Sequence, residues 1–139
     1  MNLFQIDSLS QLSQAAKWVL KKVGNHKIIA FYGEMGAGKT TLIKEICNCI
    51  NCCSHVTSPS FSIVNEYMIN CNESVFHFDF YRLTNINEII NIGFEEYLYS
   101  NNYCLIEWPE LAEPLLPPET QKIRINIDEK QKRILTFYV

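Results

Sequence analysis

Leu9, Leu12, Ala16, Val19 and Leu20 fall on one face of a 3.6-residue period, the spacing of a helix with a buried stripe. Asp7 or Ser8 stands where an N-cap is needed, and Lys21-Lys22 followed by Gly24-Asn25 supplies the end of the helix. Ile28-Ile29-Ala30-Phe31-Tyr32 then changes the pattern, because it is apolar at every position and runs straight into Gly33. That is a strand covered on both faces. Beyond a glycine-rich turn, Leu42, Ile43, Ile46, Cys47 and Ile50 restore the helical period. The order strand, loop, helix is that of a β-α unit.

Further strands are predicted over 61–67 (Phe61-Ser62-Ile63-Val64-Asn65-Glu66-Tyr67), 74–78 (Ser74-Val75-Phe76-His77-Phe78) and 103–106 (Tyr103-Cys104-Leu105-Ile106). Residues 86–99 read as helical with a break near Gly93, and Pro109 opens a short helix through Ala112 before Pro114, Pro117 and Pro118 interrupt regular structure. Residues 122–127 and 133–137 alternate as a closing hairpin. With no repeat, low-complexity tract or linker in view, the pattern predicts an α/β chain of one domain over 1–139. Its mixed central β-sheet is flanked by helices and ends in a C-terminal β-hairpin.

Composition narrows the class. The 139 residues are 47% hydrophobic and 19% charged, with a net charge of -3. This suits a packed core, and it disfavours both a disordered polyelectrolyte and a basic surface for strong direct nucleic-acid binding. No apolar run reaches the roughly 20 residues of a membrane span, and the first residues lack a basic and apolar leader. The expectation is therefore a cytoplasmic protein away from any membrane, with cysteines 47, 49, 52, 53, 71 and 104 kept as thiols.

Chemistry enters with Gly33-Glu34-Met35-Gly36-Ala37-Gly38-Lys39-Thr40, which matches G-x-x-x-x-G-K-[ST] between a buried strand and an amphipathic helix. Glycines at 33, 36 and 38 allow backbone angles and close approach that a Cβ would forbid, so that successive N–H groups can face phosphate oxygens. The following helix adds its positive end. Lys39 would reach the β- and γ-phosphates, and the Thr40 hydroxyl would supply one oxygen to Mg²⁺. The competing interpretation is a glycine turn that only links strand to helix. Thr41, taken alone, reads as structural.

A P-loop serves many reactions, so the acidic residues must discriminate. Glu107 closes the apolar run 104–106, where a parallel strand would deliver a carboxylate beside the phosphate loop in the Walker B role. Its bland alternative is an exposed strand end. Asp79 leaves the strand 74–78 close to Arg82 and suits either a group that positions water or metal, or a turn cap. Arg82 fits a phosphate contact or a surface ion pair.

These blocks resemble the bacterial TsaE proteins (formerly YjeE), small P-loop ATPases of tRNA threonylcarbamoyladenosine modification. The likeness rests on residues 33–41, on Thr57-Ser58-Pro59-Ser60-Phe61 with Val64-Asn65-Glu66-Tyr67, on His77-Phe78-Asp79-Phe80-Tyr81-Arg82-Leu83, and on Ile106-Glu107-Trp108-Pro109-Glu110. The resemblance implies a P-loop NTPase fold and an ATPase that works with TsaB and TsaD, with ATP as substrate and Mg²⁺ as cofactor. It implies that Lys39 and the loop from Gly33 to Thr41 hold the phosphates, that Thr40 and Glu107 serve the metal, and that Asp79 is needed for hydrolysis. It further implies that Thr57 is a switch residue near the γ-phosphate and that Trp108 lies near the nucleotide. Ser60, Met35 and Phe80 depart mildly from the family's usual residues.

The rival function is an ATP-gated partner-binding module in which slow hydrolysis only resets the state. A small-molecule kinase is disfavoured, because Arg82, Arg124 and Arg133 are the only arginines in the chain. Arg133 fits a nucleotide contact or an exposed hairpin position. Cys47, Cys49, Cys52 and Cys53 with His55 have some of the spacing of a zinc site, but helical placement of the first two favours apolar thiols. His26 and His77 receive no role.

Overall fold

The computed structural model describes residues 2–51, 63–70 and 72–138. Seven strands form one sheet in the order β1-β7-β6-β2-β5-β4-β3. These are β1 Leu3–Ile6, β2 Ile28–Tyr32, β3 Val64–Asn70, β4 Glu73–Asp79, β5 Tyr103–Glu107, β6 Gln121–Ile127 and β7 Arg133–Tyr138. The central strands β6, β2, β5 and β4 run parallel, whereas β3, β7 and β1 are added antiparallel. The sheet is therefore mixed, and every residue of β2 is buried, as its uninterrupted apolar run requires.

Alternation along the strands separates two cores. Ile29, Phe31, Leu105, Ile123 and Ile125 face α1 (Leu12–Val23) and α2 (Lys39–Ile50). Ile28, Phe78, Cys104 and Ile106 face the other way, toward α3 (Ile86–Asn91) and α4 (Phe94–Leu98). On that second face Phe78 and Phe80 meet Phe94 edge-on with ring centroids 5.0 and 5.2 Å apart, a favoured aromatic geometry. Gly93, at φ +79°, divides α3 from α4 where the break in 86–99 is expected.

The structure departs locally from the sequence reading. The first helix begins with a 3₁₀ turn, Leu9–Gln11, and neither Asp7 nor Ser8 caps it through its side chain. The carboxylate of Asp7 instead accepts from the Gln5 amide at 2.6 Å and lies 3.5 Å from Lys132 Nζ. The segment opened by Pro109 is a 3₁₀ helix that runs to Leu115 through Pro114. Strand β1 is too short for periodicity to signal it: exposed Leu3 and Gln5, half-buried Phe4 and buried Ile6 become a strand only by pairing Leu3 to Ile6 with Thr136 to Arg133. The hairpin of β6 and β7 is paired from Lys122↔Tyr138 to Ile127↔Arg133, one residue wider than its sequence pattern.

Candidate active site

Sheet register brings the chemistry together. Strands β2, β5 and β4 are parallel neighbours, with Phe31 opposite Glu107 and Asp79 opposite Glu107. Their C-terminal ends therefore open on the same edge as the glycine loop, which is where open α/β sheets place their ligands.

The loop itself is built by backbone. Gly33 has φ +147°, and a Cβ there would sit 2.6 Å from the carbonyl oxygen of Ile125, so this glycine lets the chain pass under β6. Gly36 has φ +82° with no heavy atom within 4 Å of a Cβ, which leaves an open, left-handed bend facing outward. Gly38 precedes α2 in a left-handed conformation and offers no side-chain cap. The N–H groups of the first turn are thus left to a ligand, as is usual at an anion-binding helix start.

Lys39 is only 5% exposed. Its ammonium donates to the carbonyls of Gly33 and of Glu34, the latter at 3.0 Å, and lies 4.1 Å from the ring centroid of Trp108. Burial pushes the lysine pKa down, while the carboxylates of Glu107, Glu110 and Asp79 act in the opposite direction. Trp108 is half-buried, has left-handed backbone angles of +54° and +57°, and stacks at a tilt on Tyr81 with centroids 4.9 Å apart.

Glu107 is 3% exposed, and both of its oxygens are engaged. The Thr40 hydroxyl donates to Oε1 at 2.6 Å, and His77 Nε2 lies 2.6 Å from Oε2. Asp79 is partly buried at the next strand end, where its Oδ1 accepts from the Tyr81 N–H at 3.0 Å, the geometry of a turn cap. Burial raises its pKa, nearby Glu107 adds to the rise, and the Tyr81 hydrogen bond opposes it. Hard oxygen donors at Thr40 and Glu107 suit Mg²⁺, which takes few protein ligands and completes its shell with phosphate and water. Among the described residues no cluster of three or more His, Cys, Asp or Glu could hold a metal alone.

The structure thus gathers Gly33, Glu34, Met35, Gly36, Ala37, Gly38, Lys39, Thr40, Asp79, Glu107 and Trp108 about one loop. Thr41 is exposed on the outer side of the first turn. Thr57 lies outside the described residues, as do Cys52, Cys53 and His55. Cys47 is buried and Cys49 half-buried in α2, and Arg82 is exposed.

Two further residues stand within the site: Arg133, which the sequence left open between a nucleotide contact and an exposed hairpin position, and His77, which it gave no role. Arg133 reaches across from β7, and its Nε donates to the carbonyl of Ala37 at 3.0 Å. Together with Ser8, Leu12, Gly38 and Thr41 it lines a groove that continues from the loop along α2. His77 is the second, and period-two alternation was the available signal: it shares a face with Asp79, and Leu105, its partner in β5, shares that face with Glu107. No helix among the described residues is long and apolar enough to cross a membrane.

Comparison with known proteins gives the family and the fold. The family model described as threonylcarbamoyl adenosine biosynthesis protein TsaE matches residues 6–135. The tRNA threonylcarbamoyladenosine biosynthesis protein TsaE of Haemophilus influenzae is 36% identical over 126 residues, covering 88% of this chain and 78% of that protein. The protein of the same name from Bacillus subtilis is 34% identical over 113 residues, covering 79% and 68%, and that of Rickettsia typhi is 31% identical over 135 residues, covering 95% and 91%. Among solved structures, the crystal structure of Bacillus subtilis YdiB superimposes with a TM-score of 0.72 at 26% identity, over 97% of this chain and 82% of that one. The architecture is that of a P-loop NTPase.

Proposed function

The chain belongs to the TsaE family of tRNA threonylcarbamoyladenosine biosynthesis, and from that premise we propose that it binds and hydrolyses ATP with Mg²⁺. In this reading the whole span 1–139 is one ATPase domain in the cytoplasm, and it acts beside TsaB- and TsaD-type proteins in threonylcarbamoyl transfer to tRNA.

One observation carries the proposal: Thr40 and Glu107, 67 residues apart in sequence, meet at 2.6 Å beside the ammonium of Lys39 at the start of an uncapped helix. The loop amides from Gly33 to Thr41 would hold phosphate oxygens, and Lys39 would exchange its two carbonyl partners for them. Thr40 and Glu107 are the residues that would hold the metal. Bound there, Mg²⁺ would offset charge on the phosphates and fix their orientation. Asp79, at the same edge, would orient water, and Thr57 is assigned to the γ-phosphate side by family resemblance alone. The groove beside Arg133 and Thr41 is where the nucleoside would extend from the loop.

The slow, partner-gating reading has a specific support of its own, since Asp79 already spends one oxygen on the Tyr81 N–H and is thereby less available as a base. Steady-state ATP turnover, measured for the chain alone and with TsaB- and TsaD-type partners, tests both readings. Turnover that requires Mg²⁺ and is lost in Lys39→Ala supports the proposal. Turnover unchanged by Lys39→Ala or by a chelator would refute it.

A further inference from the structure

His77 is fully buried, and on the reading that Glu107 serves a divalent ion we propose that this imidazole is a positioning residue that sets the orientation of the Glu107 carboxylate. A glutamate side chain has three torsions, and a strand end alone does not fix them. Here Oε1 meets the Thr40 hydroxyl and Oε2 meets His77 Nε2, each at 2.6 Å, so the carboxylate plane is held from both sides. The two partners differ in kind. Thr40 is the exchangeable partner, because its hydroxyl is itself a candidate metal donor and would turn away when used. His77 is locked in β4, opposite Leu105, with the Tyr67 ring centroid 6.2 Å away. The histidine contact therefore persists when the threonine contact is exchanged, leaving Oε1 as the oxygen that faces the ion or its water.

Hydrogen bonding also fixes where the imidazole proton sits. Nδ1 is buried with no partner among the described residues, whereas Nε2 faces a carboxylate oxygen, which can only accept while ionised. A proton on Nε2 makes a bond to Oε2. A proton on Nδ1 alone would set two lone pairs against each other at 2.6 Å and leave a buried donor unsatisfied. Groups that hold a ligating carboxylate in this manner commonly tune metal affinity without touching the metal.

Two variants and one spectrum decide the matter. His77→Phe keeps a buried ring and removes the donor, while His77→Gln returns an N–H near the Nε2 position. Mn²⁺ is titrated into the ADP-bound protein by electron paramagnetic resonance, with ADP affinity measured separately in chelator. His77→Phe is expected to weaken Mn²⁺ binding by about ten- to a hundredfold and His77→Gln by no more than about threefold, with ADP affinity in chelator unchanged. Unchanged Mn²⁺ affinity in folded His77→Phe would overturn the proposal. The nucleotide-free wild type supplies a readout that needs neither folding of that variant nor any activity: long-range ¹H–¹⁵N spectra should show the His77 proton on Nε2, with the signal displaced in Glu107→Gln. A proton on Nδ1 alone would overturn the proposal. A wild type that takes up no Mn²⁺ with ADP would overturn the ATPase reading, and the spectrum would then still decide whether His77 holds Glu107.

Discussion

The three glycines of the phosphate loop do different work, and alanine substitution should separate them. At Gly33 a Cβ would stand 2.6 Å from the Ile125 carbonyl oxygen, a backbone atom of the neighbouring strand, in a conformation with φ +147°. Forcing an L-residue into such angles costs about 1–3 kcal/mol, and relieving an overpacked contact in a tight interior costs about the same again. At Gly36 the space around a Cβ is empty and only the left-handed φ of +82° is penalised, at about 1–2 kcal/mol. For a chain of this size each kcal/mol lowers the melting temperature by about 3–5 °C. Gly33→Ala should thus melt about 6–30 °C below the parent, and Gly36→Ala only about 3–10 °C below it. Nucleotide should reverse the order of injury. ATP at about a hundred times its Kd stabilises by about 2.7 kcal/mol, which the parent would show as a clear upward shift. Gly36→Ala should lose most of that shift, because the open bend is where phosphate would approach. Differential scanning fluorimetry with and without MgATP measures both quantities. A Gly33→Ala protein that melts within about 3 °C of the parent, or a Gly36→Ala protein with a full ligand shift, would refute this division.

Lys39→Ala should keep the fold, since it removes an ammonium held by two loop carbonyls and the Trp108 ring and no apolar core side chain, while calorimetric ATP affinity falls by about a hundredfold or more. Glu107→Gln should reduce Mg²⁺-supported turnover by about a hundredfold with a much smaller change in melting temperature, because the amide retains acceptor and shape at Thr40 but not the charge; wild-type turnover at limiting Mg²⁺ would end that assignment. Asp79→Asn should leave ATP affinity within about tenfold and abolish most hydrolysis. The same variant has a signed effect on stability. Burial raises the Asp79 pKa in the fold, so ionised Asp79 opposes folding above the ordinary carboxylate range and the opposition fades as pH falls through the raised value. Thermal unfolding at neutral pH should therefore find Asp79→Asn at least as stable as the parent, with the difference shrinking in acid.

How much of this was legible depended on whether the signal was local. The β2–loop–α2 unit is contiguous, so an apolar pentapeptide, three glycines and a helical period specify it without any distant partner. The break at Gly93 and the β6–β7 hairpin were equally readable. Strand β1 was not, because Leu3-Phe4-Gln5-Ile6 alternates too briefly to declare itself and depends on β7, more than a hundred residues away. The same distance left Arg133 undecided between a nucleotide contact and an exposed position, since its approach to the Ala37 carbonyl is a product of strand order rather than of any spacing. His77 was hidden for a different reason. A histidine on a strand is ordinary, and only the parallel pairing of β4 with β5 sets it diagonally across from Glu107 on the face that carries α2.

That pairing also explains why the site is electrostatically unfinished. Parallel strands ending level with one another deliver Asp79 and Glu107 side by side, with Lys39 as the nearby ammonium. Carboxylates gathered about one buried ammonium are a costly arrangement: burial chiefly raises the pKa of Asp79, and neighbouring Glu107 adds to the rise. The fold tolerates it by giving each carboxylate fixed donors: the Tyr81 N–H for Asp79, and Thr40 with His77 for Glu107. Such donors orient the charges without neutralising them. Negative charge held in place, next to a loop whose own amides favour anions, is a surface that neither a bare nucleotide nor a bare cation satisfies. Only the two together match both halves, and this is the physical reason to expect the loop and the strand ends to act as one site for a metal-nucleotide complex.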